Sequence, residues 1–245
     1  MNDELILLIK EKAPYSVVRF SRRFSVKIRK RLLIVVTGNT DFKIDEPVKV
    51  VYSDLKPEEL VEDLTPFMFI LPTEKPSVIE HIFFKPWSED LAEKFPNRNF
   101  LLVPPESEAV NKVLVYVDWE HPDENYIGFL NELLTPLRVP VTLVTTVDEE
   151  DEVLPLLEKE FPQWELDELL NHMVGKALAE LGNKLQGIKV LNFLLLKGNP
   201  GVMVPMYAFK NGYDLLVAPQ RSKHREEFIE NSKIPLALVV GRIEE

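Results

Sequence analysis

The sequence predicts an α/β protein built on parallel sheet. Three observations carry that reading. Residues 112–241 alternate short Val- and Leu-rich runs with stretches of helical period, the pattern of strands covered on both faces and joined by crossover helices. The same order of segments recurs, worn, in residues 1–105. And 245 residues with 45% hydrophobic content suffice for two modest cores.

In the second half, Lys112 to Asp118 (KVLVYVD) reads as the first buried strand. A helix follows over about 125–137, with Tyr126, Phe129, Leu130, Leu133 and Leu134 at helical spacing. Pro140 to Val147 is the second strand. A long helix over about 164–186 carries Leu170, Val174, Leu178 and Leu181 on one stripe, and Gly187 is placed to stop it. Lys189 to Lys197 is the third strand, and Gly198-Asn199-Pro200 turns into a helix over 201–211. Tyr213 to Pro219 is the fourth strand, Arg225 to Asn231 a short helix, and Ile234 to Val240 the fifth strand.

In the first half, Leu5 to Ile9, Arg31 to Thr37, Val48 to Tyr52, Phe67 to Pro72 and Asn99 to Val103 read as strands, with a helix over 57–64. The best internal match sets Phe67 to Pro72 (FMFILP) against Asp214 to Pro219 (DLLVAP). The long second helix has no counterpart, since only residues 38–47 fill its place. Pro104-Pro105-Glu106-Ser107-Glu108 reads as a linker.

Composition removes several classes of function. There is no Cys, hence no disulfide, thiolate zinc site, iron–sulfur cluster or cysteine nucleophile. Nine glycines form neither GxGxxG nor GxxxxGK[ST]. No apolar run approaches the roughly 20 residues of a membrane span, and no secretory leader is apparent, so a cytoplasmic protein is expected. Abundant Glu and Pro without Cys suggest a thermophilic source. His81, His121, His172 and His224 fall into no metal-binding spacing. His121 lies among Asp118, Glu120, Asp123 and Glu124, where a hydrated loop competes with a metal site. No nucleophile elbow is present.

Charge is uneven. Residues 1–31 carry nine Lys and Arg against three acids, a net of +6, and the remainder carries 20 against 37, a net of −17. Tyr15 to Arg31 has Val17, Phe20, Phe24, Ile28 and Leu32 at helical spacing, with Arg19, Arg22, Arg23, Lys27 and Lys30 opposite. Such a helix packs its apolar stripe on a sheet, or lies on a membrane or an acidic partner. Net acidity argues against nucleic acid. The run Asp148 to Glu152 reads as a solvated loop leading into a helix.

Residues 112–241 resemble the universal stress protein family. The resemblance rests on KVLVYVD ending in Asp118, on KGNP at Lys197 to Pro200 before a helix, and on the Pro-containing closing strand IPLALVV. It implies flavodoxin-like, adenine-nucleotide-hydrolase-like domains with mainly parallel five-stranded sheets, at 1–105 (degenerate and trimmed) and 111–245 (better preserved). It also implies an adenine-nucleotide crevice at the strands' carboxyl ends, where Asp118, Thr145, Gly198, Pro219, Arg221, Ser222 and Lys223 would stand. The family's glycine-rich phosphate loop is missing. Pro219 stands where its first Gly would fall and has no N–H to give, and 219–234 contains no Gly. Arg221, Lys223, His224 and Arg225 form a basic cluster that either substitutes for the missing donors or is merely solvated. Asp118 either meets a ligand or caps the next helix.

The expectation is therefore a non-catalytic regulatory or scaffold module acting through protein association. No cofactor is expected. The alternative is a nucleotide-binding regulator using Asp118, Arg221 and Lys223. A homodimer and an unidentified protein partner are expected, and the closing strands of the two halves are expected at their contact.

Overall fold

A computed structural model describes residues 3–10, 13–38, 48–73, 85–118, 123–147 and 162–240. The chain order is β1 (Glu4–Lys10), α1 (Tyr15–Ile28), β2 (Arg31–Thr37), β3 (Lys49–Ser53), α2 (Pro57–Asp63), β4 (Met68–Pro72), α3 (Trp87–Lys94) and β5 (Phe100–Val103). It continues β6 (Val113–Tyr116), α4 (Glu124–Leu134), β7 (Val141–Val147), α5 (Gln163–Lys184), β8 (Val190–Lys197), α6 (Pro200–Lys210), β9 (Leu215–Pro219), α7 (Arg225–Asn231) and β10 (Leu236–Val239).

The ten strands form one sheet, β3-β2-β1-β4-β5-β10-β9-β6-β7-β8. Within each half every pairing is parallel, and the strand order is the same when each half is numbered from its own first strand. The two five-stranded sheets thus join edge to edge. The join is the antiparallel pairing of the closing strands, with Leu236 opposite Leu102 and Leu238 opposite Phe100.

The fourth strands of the two halves have equivalent backbone register. Pro72 pairs with Val103, and Pro219 with Val239. The next residue in each half, Thr73 or Gln220, donates its N–H to that valine's carbonyl at 3.0 and 2.9 Å.

Alternating strand side chains divide the core into two layers. Leu5, Leu7 and Ile9 face α1, α4 and α5, and Ile6 and Leu8 face the layer of α2, α3, α6 and α7. Local chemistry sets the helix starts. The Asp123 carboxylate accepts from the N–H groups of Asn125 and Tyr126 at 2.8 and 3.3 Å, and Asn199 Oδ1 from Gly201 N–H at 2.8 Å. Pro57 and Pro200 occupy first helical positions.

Two helices end about a turn earlier than expected, the first being α4, which ends at Leu134 rather than near residue 137. The basic helix ends at Ile28 rather than Arg31, and Leu32 belongs to β2. Arg29 turns left-handed at φ 58°, and the N–H groups of Arg29 and Lys30 bond back to Val26 and Ser25 carbonyls. The acidic run at 148–152 and the segments 39–47 and 74–84 lie outside the described residues.

The halves are also tied by side chains. Lys30, only 8% exposed at its side chain, bonds Asp3 at 2.9 Å and Glu132 of α4 at 2.8 Å. Its ammonium lies 4.4 Å from the centre of the Phe67 ring, which stacks on Phe129 at 4.5 Å. Lys27 and Arg23 donate to the Val110 and Glu108 carbonyls of the linker. Part of the basic segment is thus neutralised within the chain, as its charge contrast predicts. On the other layer Gln220, fully buried, donates through Nε2 to Ala92 and Phe95 carbonyls at the end of α3, at 2.8 and 3.2 Å. Asn99 accepts from Val240 N–H at 2.8 Å and donates to the Phe67 carbonyl at 3.1 Å.

Burial lowers the pKa of Lys30, but its bonds to Glu132 and Asp3 outweigh that and hold it above the ordinary 10.5. A raised lysine pKa contributes stability that is complete below 10.5 and is lost as pH climbs through the folded-state value. Lys30→Met is expected to cost about 2 kcal/mol in urea unfolding at neutral pH, because it strands the Glu132 carboxylate. The gap to wild type should narrow above the ordinary lysine pKa; a constant gap from neutral to alkaline pH would contradict this account. Gln220→Ala, which leaves two helix-end carbonyls without a donor, is expected to cost about 1–3 kcal/mol in the same assay.

Candidate functional site

In an open α/β sheet a ligand crevice forms at the carboxyl ends of the strands, where the strand order reverses. In the second half that point lies between β6 and β9. The seven residues singled out from the sequence all fall along this edge. Asp118 follows β6 and is half-buried. Thr145 lies in β7, fully buried, and its Oγ1 has no hydrogen-bond partner among the described residues. Gly198 follows β8 at φ +102°, a conformation that disfavours any side chain, and donates its N–H to the Val147 carbonyl at 2.9 Å. Pro219 ends β9, and Arg221, Ser222 and Lys223 form the turn after it.

That turn is closed on itself. Gln220 N–H is held by the Val239 carbonyl, Ser222 N–H by the Pro219 carbonyl at 3.2 Å, and Arg225 N–H by the Ser222 carbonyl at 3.2 Å. His224 N–H is held by Ser222 Oγ at 3.2 Å. A phosphate cradle needs several backbone N–H groups converging on open space. Here most of them are already satisfied within the turn or by β10.

The basic cluster does not converge on one point either. Arg221 reaches across to Asn97 Oδ1 at 3.0 Å, His224 Nδ1 lies 3.9 Å from Glu227, Arg225 Nε is buried, and Lys223 is exposed. The start of α6 is crowded as well. A Cβ on Gly201 would lie 2.4 Å from the Glu227 Cβ and 3.0 Å from the His224 carbonyl, so only glycine lets α7 approach this closely.

The sequence reading missed the two residues that shape this region, Gln220 and Gly201. Neither carries a local signal: one reads as a loop amide, the other as an ordinary helix start. Residues 119–122, with His121, lie outside the described residues, and His172 sits exposed on α5. Among the described residues no group of three or more His, Asp and Glu is placed to hold a metal ion, and no helix is long and apolar enough to cross a membrane. A cavity of about 250 Å³ opens at the other end of the strands, lined by Ser107, Asn111, Tyr213, Asp214, Lys233 and Pro235. Its Asp214 carboxylate is occupied in holding the linker, accepting the N–H groups of Asn111 and Lys112 at 2.9 and 3.0 Å.

No protein-family model matches the sequence, and no curated protein matches it. Solved structures do match the fold. A protein of unknown function from Pseudomonas aeruginosa PAO1 aligns at TM-score 0.66 and 11% identity, over 97% of this chain and 92% of that one. A second protein, from Pseudomonas aeruginosa UCBPP-PA14 and provisionally described as a universal stress protein, aligns at TM-score 0.64 and 12% identity, over 97% and 93%. A universal stress protein from Archaeoglobus fulgidus DSM 4304 aligns at TM-score 0.60 and 11% identity, over 98% and 97%. Over nearly its whole length, this chain has the universal stress protein fold.

Proposed function

We propose that the chain consists of two universal-stress-like units, residues 1–105 and 111–245, the first degenerate, and that it works without catalysis as a regulatory or scaffold module through association with protein. Its partners are a second copy of itself and a protein that the sequence does not name. The observation that carries this reading is the closed turn after β9. Most of the N–H groups that would meet phosphates are bonded within the turn or to β10, and Gln220 is drawn back onto α3. Backbone donors supply much of the phosphate recognition at such a crevice, so their loss favours binding without nucleotide chemistry.

One observation favours a second reading. Thr145 Oγ1 is a buried hydroxyl with no partner among the described residues, at the edge where Asp118 also stands, and an orphan of this kind asks for a ligand or a water. In that reading Asp118, Thr145, Arg221 and Lys223 hold an adenine nucleotide in a rewired crevice, Gly198 and Ser222 border it, and Pro219 floors it.

Calorimetric titration with magnesium-ATP separates the two. The first reading expects no binding tighter than millimolar and no thermal shift in a nucleotide screen. Low-micromolar binding that Asp118→Ala weakens at least tenfold would establish the second reading and sink the first.

A further inference from the structure

We propose that the outward face of α6 is the surface through which two copies of this chain associate, about a twofold axis that sets the two α6 helices antiparallel. This deepens the reading of the protein as a self-associating module and names the surface that does it.

The helix is apolar all round. From Pro200 to Phe209 it contains no charged residue, in a chain that is 28% charged. Its inner side buries Gly201, Val204, Pro205 and Ala208. Its outer side nevertheless exposes Val202 at 40%, Met206 at 38% and Phe209 at 53%. These three are spaced four and three residues apart, so they form one stripe. A helix apolar on every side is one that is covered on every side.

The fold itself does not require this stripe. In the first half α2 occupies the corresponding place, between the third and fourth strands. It carries Glu58, Glu59, Glu62 and Asp63 around a buried side of Leu60 and Val61. Nor is the stripe needed to join the halves, because β5 and β10 have already paired inside the chain.

Charge selects the occupant and its direction. At the carboxyl end of α6 stand Lys210, exposed, and Lys233, whose ammonium lies 5.4 Å from the Phe209 ring centre. Neither has a carboxylate partner among the described residues. At the amino end, the missing side chain of Gly201 brings Glu227 alongside, and the Glu227 side chain is 38% exposed. Glu227 and Lys233 stand on the same flank of the stripe, the one toward α7, at its two ends, so an antiparallel pair sets Lys233 of one copy beside Glu227 of the other, twice over. A parallel pair exchanges the flanks and sets Lys233 of one copy against Lys210 of the other, two like charges. The surface is therefore self-complementary in one direction, and a twofold contact of that kind closes on itself. Met206, in the middle of the stripe, falls near the axis.

Sedimentation velocity of the full chain at micromolar concentration tests this. The wild type should be a dimer that persists at molar salt, since the contact is mainly apolar. Met206→Glu should raise the dimer Kd at least about 30-fold with the circular dichroism unchanged, and Tyr52→Glu on the β3 edge should leave it alone. Lys233→Glu should weaken the dimer a few-fold, and adding Glu227→Lys should restore it. Because the chain has no Cys, Met206→Cys under mild oxidation should give a disulfide-linked dimer, and Tyr52→Cys should not. The cross-link also decides the matter if Met206→Glu fails to fold. A wild type that stays monomeric removes both the self-association reading and this surface. A dimer indifferent to Met206→Glu and not cross-linked through Met206→Cys overturns the α6 surface alone and leaves self-association standing.

Discussion

The pairing of β5 with β10 is the constraint on which the rest of the molecule depends. Both strands are four residues long, wholly apolar and fully buried, and each closes a parallel sheet whose other edge lies far away. An apolar edge left open has unpaired amides and carbonyls and templates aggregation. Pairing the two closing strands with each other satisfies both. Their antiparallel direction places the carboxyl edge of one half at the amino edge of the other, so the carboxyl edges of the two halves face opposite ends of the sheet.

The chemistry of the candidate site follows from that join. The residues beside a closing strand are the ones that would shape a phosphate loop, and here they are used to fasten the halves. Gln220 is spent on the end of α3, Arg221 on Asn97, and Asn99 on Val240 and Phe67. Most of the N–H groups of the turn after β9 are likewise bonded within it or to β10. On the opposite layer the join is electrostatic and aromatic, with Lys30 between Asp3 and Glu132 and the Phe67–Phe129 stack beneath it. Burying a cation there is tolerable because two carboxylates and a ring face surround it.

The two halves share a strand order and differ in what covers it. The first half presents an acidic α2 where the second presents an apolar α6. Equal backbone roles with unequal surfaces separate the requirements of packing from the requirements of contact with other molecules. Packing needs only one side of each helix; the outer side of α6 is free to answer to something else.

The sequence by itself determined the element types, nearly all their positions and the α/β class, because parallel strands buried on both faces and amphipathic helices each leave a periodic imprint on local composition. FMFILP and DLLVAP announced their equivalence through shared pattern, and the structure gives them equivalent register. Asp118, Thr145 and Gly198 were singled out by the family resemblance, and in the structure they lie along one edge, at or near the carboxyl ends of their strands. The missing glycines after Pro219 were equally plain. What only the tertiary structure decided is where each polar group goes. Gln220 finds Ala92, 128 residues away, and Lys30 finds Glu132, 102 away. The end of the basic helix, too, was fixed by Arg29 turning left-handed so that β2 could enter the sheet. Such partners are set by how the sheets join, and no periodicity along the chain encodes a contact between residues that far apart.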